Sequence, residues 1–107
     1  ATIGSKDIFS KLNLLLSDEY ALVQVAAARA FCILDMESEG LKTLAAQLKN
    51  SNEWTRLNSA LVLDEIGEKA RPAIADLQSV MNDENKYVVR VANHALNGLQ
   101  ETQNVVK

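Results

Sequence analysis

Apolar and small residues recur along the chain in three segments, which begin at Val23, Thr55 and Val88. In each segment they occupy the first, fifth, eighth, ninth and twelfth positions. Steps of four, three, one and three trace one face of an α-helix. The segments start 32 and then 33 residues apart, so the pattern predicts three copies of one buried helix.

A second amphipathic helix is predicted before each of these segments. Its apolar residues recur in steps of three and four, in aligned sets that begin at Phe9, Leu41 and Ile74. One such helix pair cannot bury both of its apolar faces, whereas three stacked pairs can. We therefore predict an all-α fold, an α-α superhelix (solenoid) of three helical hairpins with six helices of about three turns each.

Short polar residues mark the predicted ends of the helices. Asp18, Asn50 and Asp83 occupy one aligned position in the turns of the three hairpins. Side chains of this kind end one helix and cap the next. Ser5 is predicted to cap the first helix in the same way.

Glycine and proline divide the hairpins from one another. Gly40 and Gly67 are predicted breaks, and the fixed φ of Pro72 suits the first turn of a helix. We predict a single domain over 1–107. Its hairpins are placed at about 5–35, 40–67 and 71–99, with a fraying tail at 100–107.

Composition and charge remove several classes of function. The chain has four Gly, one Pro and 48% hydrophobic residues, which favours a packed helical domain over a small β domain. A formal net charge of -3 argues against nucleic acid and against an anionic membrane surface as partners. The single Cys32 excludes an internal disulfide.

The hairpins resemble the HEAT family of helical repeats. The shared features are the acidic or amide turn residue, the Val or Thr that follows it, and an Ala-rich second helix that ends in Leu or Ile. The family's arginine beside that Val or Thr is present as Arg56, whereas Gln24 and Val89 replace it in the other hairpins. The resemblance covers about 5–99 and implies a non-catalytic interaction scaffold with an interrupted Asp–Arg ladder.

Three stretches, 52–56, 63–73 and 87–92, resemble more closely the HEAT segment found C-terminal to some bacterial sulfatases. That resemblance implies a parent enzyme that hydrolyses sulfate esters in the periplasm or outside the cell. The Cys/Ser-x-Pro-x-Arg motif of those enzymes is absent, because Ile33 to Met36 follow Cys32. A phycobilin-lyase-type repeat protein and a stand-alone protein-binding adaptor remain as alternatives.

Aromatic and cationic residues define the candidate site. Trp54 and Tyr87 align just before the second helices, with Leu22 at the same position of the first hairpin. Such residues dominate binding energies at interfaces; the alternative is packing over the turns, with the arginines meeting acidic residues. We predict a protein partner or a parent enzyme domain. The predicted partner-binding surface consists of Trp54, Arg56, Tyr87, Arg90 and His94.

Two further surfaces follow from the solenoid pattern. The second helices of HEAT-type stacks line one side, which here is predicted to be mixed in charge; it draws on Gln24, Arg29, Asn58, Leu61, Asp64, Glu65, His94 and Asn97. The last hairpin should carry a polar outer face. The extra Val89 and Val91 on it therefore predict self-association, or cover by a parent domain.

No catalytic, cofactor or metal site is predicted. His94 is the only histidine, and no ligand or acid–base partner lies at a suitable sequence spacing. Cys32 comes late in its helix, where the helix dipole opposes a thiolate. The acidic run at Asp35, Glu37 and Glu39 lacks the ligand pattern of an EF-hand loop. The chain is therefore interpreted as a non-enzyme.

Overall fold

The computed structural model describes residues 5–106, with side chains from residue 7 onward. Within these residues the chain forms helices and turns and no strands, which confirms the predicted all-α solenoid of six helices. The predicted cap at Ser5 involves a side chain outside the described residues. The helices are α1 (Ser5–Leu15), α2 (Ala21–Ile33), α3 (Glu37–Gln47), α4 (Glu53–Glu65), a 3₁₀ helix (Gly67–Ala73), α5 (Ile74–Ser79) and α6 (Lys86–Gln100).

The helices stack as three hairpins in two layers. The second helices α2, α4 and α6 contact one another in sequence, and each packs against the first helix of its own hairpin. On the other layer, α3 contacts the 3₁₀ helix that leads into α5. The resulting body is elongated, with extents of 52 × 29 × 18 Å.

The core follows the aligned apolar stripes. Phe31, Leu63 and Leu96 share the ninth position and are all buried. Leu44 and Leu77 are also fully buried on the first helices. Leu34 departs from the pattern, because α2 ends at Ile33 and leaves this side chain half-exposed.

Gly40 is not a break between hairpins. It lies inside α3, and a Cβ atom there would sit 2.5 Å from the carbonyl oxygen of Ala28 and 2.9 Å from Sγ of Cys32. Glycine is therefore needed because α3 approaches α2 this closely. The reversal occurs instead at Asp35, whose φ is 62°. Gly67, with a φ of 61°, does break the chain as predicted.

The first helix of the third hairpin is shorter than predicted. The 3₁₀ helix occupies 67–73 with Pro72 inside it, and α5 has only six residues. Proline has no N–H to donate and its ring clashes with the carbonyl four residues earlier. An α-helix through Pro72 is thus disfavoured, and α-helical geometry begins after Ala73.

The aligned turn residues close the turns rather than cap the helices. Each accepts a hydrogen bond through its side-chain oxygen from the backbone N–H two residues later, which is an Asx turn. The pairs are Asp18 with Tyr20 at 2.9 Å, Asn50 with Asn52 at 2.8 Å, and Asp83 with Asn85 at 2.9 Å.

The N-cap of each second helix is the residue whose N–H donates to the turn residue. Asn52 Oδ1 accepts from the N–H groups of the next helix at 2.8 and 3.3 Å, and Asn85 Oδ1 does the same at 2.8 and 3.3 Å. The first hairpin has Tyr20 at this position, with no capping side chain. The prediction placed the caps two residues too early.

Candidate partner-binding face

One face of the second helices is left open to solvent along the whole stack. Trp54, Asn58, Leu61 and Glu65 follow steps of four, three and four on α4, so they lie on one side of the helix. We call the aligned residues of all three helices the second-helix face. It consists of Leu22, Ala26, Arg29 and Ile33 on α2, the four residues named on α4, and Tyr87, Val91, His94 and Gly98 on α6.

Large apolar side chains dominate this face. Trp54 is 62% exposed and Tyr87 is 54% exposed, although both sit on packed helices. Leu22 is exposed at the same level of α2, and Ile33 and Leu61 lie farther along the helices. Leu22, Trp54 and Tyr87 are the second residues of α2, α4 and α6, and we call this set of one apolar group per hairpin the apolar row.

Side chains at this face contact one another across neighbouring helices. Arg29 Nε donates to both carboxylate oxygens of Glu65, at 2.9 and 3.1 Å. This hydrogen bond lowers the pKa of the Glu65 carboxyl and raises that of the guanidinium. His94 Nδ1 lies 2.8 Å from Asp64 Oδ1. Of these two contacts, the Arg29–Glu65 ion pair cancels opposite charges at the face.

Other polar side chains at or beside the face are held by hydrogen bonds. Asn58 Nδ2 donates to the carbonyl oxygen of Trp54 at 2.7 Å. Glu53, beside Trp54, accepts from Asn85 Nδ2 at 3.1 Å. These bonds hold the polar side chains against the stack and leave the indole ring exposed.

Two cations lie beside the Tyr87 ring at the edge of the face. Lys86 Nζ lies 5.9 Å from the ring centroid of Tyr87, and the guanidinium carbon of Arg90 lies 5.7 Å from it. Neither side chain forms an ion pair within the described residues. The α6 end of the row therefore carries positive charge above an aromatic ring.

Arg56 lies away from this face and joins two turns. Its side chain is 11% exposed and binds Asp83 with two hydrogen bonds, at 2.8 and 3.1 Å. Its Nη1 also donates to the carbonyl oxygens of Asn50 and Ser51. Burial raises the pKa of the Asp83 carboxyl, but the bonds from Arg56 and from the Asn85 N–H outweigh it and lower the pKa.

The Asp–Arg ladder has this single rung. At the aligned position of the first hairpin, Gln24 Nε2 donates to the carbonyl oxygen of Asp18 at 2.6 Å. Gln47 then donates to Gln24 Oε1 at 2.8 Å, and Asn50 donates to Gln47 Oε1 at 2.9 Å. A relay of amides thus replaces the ion pair, in line with the interruption expected from the sequence.

The remaining polar candidates form one small cluster, in which Lys69 pairs with Asp35 and Glu37. Cys32 is buried, and burial is the main reason that the pKa of its thiol is raised. Lys69 donates to the carbonyl oxygen of Cys32 and pairs with Asp35 at 2.7 Å.

Among residues 5–106, no three His, Cys, Asp or Glu side chains converge as metal ligands would. In the same range, no helix has the length and apolar character needed to cross a bilayer.

These features define the class of protein, an α-α solenoid built from repeated hairpins. A family model of HEAT repeats matches residues 11–97, and the chain belongs to the HEAT-repeat family. Repeats of this family commonly mediate protein–protein interactions and are generally non-catalytic. Neither the search of curated proteins nor the search of solved structures found a match.

The sequence analysis assigned Trp54 and Tyr87 to the predicted partner-binding surface and Arg29, Asn58, Leu61 and Glu65 to the mixed-charge side, with His94 in both. On the folded chain all of these residues lie on the second-helix face. The available signal is spacing, since 22, 54 and 87 each precede 29, 61 and 94 by seven residues, which is nearly two helical turns. Ile33 was missed, and Asn97 is tied to the tail by hydrogen bonds with Thr102 and Asn104.

Proposed function

We propose that this chain is a non-catalytic module that binds a protein partner through the second-helix face. The supporting observation is the row of exposed Leu22, Trp54 and Tyr87, one from each hairpin. Contiguous exposed apolar groups mark interaction surfaces, and Trp and Tyr are the commonest sources of binding energy there. Farther along the face, the pairing of Arg29 with Glu65 reduces the cost of removing these two charges from water.

A peptide-display selection tests this function. Peptides are selected on the wild-type protein and then counter-selected on the Trp54→Ala/Tyr87→Ala double variant, which should keep the wild-type melting temperature because both side chains are exposed. We expect most selected peptides to bind the wild type only. Selected peptides that bind both proteins equally would mean that binding occurs elsewhere.

We further propose that the module is a C-terminal accessory segment of a bacterial sulfatase-like enzyme, which would place it in the periplasm or outside the cell. The proposal rests on the resemblance of 52–56, 63–73 and 87–92. Exposed Ile8, Leu14 and Leu15 on α1 offer an apolar surface to a preceding domain. The sequence of the full gene tests this proposal. A Cys/Ser-x-Pro-x-Arg motif encoded before Ala1 supports it, and a gene that encodes no domain before Ala1 contradicts it.

The competing function is a phycobilin-lyase-type protein, which binds a chromophore instead of a polypeptide. The His94–Asp64 pair beside the exposed aromatic row is the observation that favours it. It predicts that a bilin co-elutes with the protein in gel filtration and that His94→Ala abolishes this co-elution. We expect no co-elution, since among residues 5–106 no group of three His, Cys, Asp or Glu side chains converges at His94.

Self-association through the last hairpin remains a proposal as well. Val89 and Val91 are half-buried, and Val91 packs against the core. Val105 in the tail is 90% exposed. Sedimentation equilibrium tests this idea: a dimer that Val105→Lys dissociates supports it, and a monomer at all concentrations contradicts it.

A further inference from the structure

The polar groups of the second-helix face leave little for an extended peptide to bind. Arg29 is paired with Glu65, His94 with Asp64, and Asn58 with the Trp54 carbonyl oxygen. An extended chain needs partners for its own backbone N–H and C=O groups when it is removed from water. A helix satisfies those groups internally, so this face favours a helical partner.

The spacing of the apolar row also matches a helix. Neighbouring second helices lie about 8–10 Å apart, whereas seven residues of an α-helix rise by about 10.5 Å and return to nearly the same side. A helix that crosses the stack can therefore place its apolar side chains at i, i+7 and i+14 on Leu22, Trp54 and Tyr87 in turn.

Charge complementarity fixes one end of this partner. Lys86 and Arg90 flank the Tyr87 ring without an ion-pair partner in the described part of the chain. The charges at the α2–α4 crossing already neutralise each other. An acidic residue is thus favoured beside the side chain that meets Tyr87, and charges elsewhere on the contact side of the partner are disfavoured.

We propose that the second-helix face binds an amphipathic α-helix with apolar residues at i, i+7 and i+14 and an acidic residue next to one terminal apolar position. This inference rests on the proposed function and names the class of partner. The helix lies across the N-terminal ends of α2, α4 and α6. Opposite-charge contact at α6 sets its direction.

Synthetic peptides provide the test. The first is an Ala-rich helical peptide of about 18 residues with Leu at i, i+7 and i+14 and Glu beside the last Leu. The second has the same sequence except that one central Ala is replaced by Pro, which breaks a helix. The third has Lys in place of Glu. Trp54 is the only tryptophan in the chain, so its fluorescence reports binding at the face.

We expect the first peptide to shift Trp54 emission to shorter wavelength, and the Pro and Lys peptides to bind at least about tenfold more weakly. The double change Lys86→Glu/Arg90→Glu should reverse the preference between the Glu and Lys peptides. Leu14→Ala, at an exposed apolar residue on α1, serves as the control and should change neither result.

Equal binding of the intact and Pro-broken peptides, or no binding of the first peptide, would overturn the helical partner. Failure of the proposed function can be distinguished from failure of the helical partner. The display selection tests peptide binding at the face without any assumption about the conformation of the peptide. If selected peptides depend on Trp54 and lack the seven-residue pattern, the binding face stands and the helical partner does not. If none depends on Trp54, both are contradicted.

Discussion

At the scale of single residues, one repeat position shows how neighbouring turns are joined. Arg56 links the turn at Asn50 to Asp83 in the next turn, with the Arg56 and Asp83 side chains 11% and 8% exposed. Gln24 makes the corresponding bond to the first turn through an amide. A charged rung and a neutral relay therefore do the same structural task in successive hairpins.

Arg56→Met is expected to destabilise the fold by roughly 2–3 kcal/mol, because it leaves the Asp83 carboxylate buried without its partner. Lys49→Met provides a matched control, since Lys49 is 65% exposed and 3.8 Å from Asp76; its loss should cost less than about 0.5 kcal/mol. Urea unfolding measures both. Equal costs would contradict the structural role of Arg56.

The same ion pair predicts a dependence of stability on pH. The folded-state pKa of Asp83 is lowered, so its contribution is fully present above the unfolded value of about 3.9. It is lost as pH falls through the folded value, because the unfolded chain then binds more protons. The wild type should lose more unfolding free energy than Asp83→Asn between pH 6 and pH 3. Parallel losses would contradict the assignment.

Substitutions at two glycines test two different effects, close helix packing at Gly40 and helix propensity at Gly98. Gly40→Ala should destabilise the protein by about 2 kcal/mol, because the new methyl group meets the Ala28 carbonyl. Gly98→Ala, in open space on α6, should stabilise it by about 0.5 kcal/mol. Thermal melts of the two variants measure both effects. A stable Gly40→Ala protein would mean that α3 lies farther from α2.

At the scale of elements, helix existence was predictable and helix ends were not. Apolar periodicity located all six helices, because each buries a stripe against its neighbours. The caps were misplaced because Asp18, Asn50 and Asp83 are equally suited to an Asx turn or an N-cap. The Asx turn and the N-cap differ only in how many residues separate the polar residue from the next helix. That number depends on how the folded chain connects the two helices.

The first hairpin offers a direct test of the capping scheme. Tyr20→Asn should add the side-chain acceptor that Asn52 and Asn85 provide elsewhere, and should stabilise the protein by about 1 kcal/mol. Asn85→Ala should cost about the same amount. Urea denaturation measures both variants. No gain from Tyr20→Asn would mean that the first turn differs from the other two.

At the scale of the whole molecule, the two ends of the stack differ. Ile8 is 40% exposed, whereas its aligned residues Gly40 and Ala73 are buried against the preceding hairpin. At the other end, the tail folds back, and the Asn104 carbonyl accepts hydrogen bonds from Asn93 and Asn97. Repetition predicts the inner packing, but an end face depends on contacts outside the repeat, which the pattern does not encode.

The candidate face was also only partly predictable, for a reason of the same kind. Trp54, Tyr87 and His94 could be assigned to second helices from their spacing alone. The pairing of Arg29 with Glu65 and of His94 with Asp64 joins positions 36 and 30 residues apart. The lateral offset between neighbouring helices decides such pairs, so these contacts across the face emerge only from the folded stack.

The most direct test of the account is the dissociation constant of one display-selected peptide for three proteins. These are the wild type, Trp54→Ala on the second-helix face, and Leu14→Ala on α1, with 62% and 74% of the two side chains exposed. We predict that Trp54→Ala raises the dissociation constant by about tenfold or more while Leu14→Ala leaves it unchanged. A raised constant for Leu14→Ala with an unchanged constant for Trp54→Ala would contradict the assignment of binding to the second-helix face.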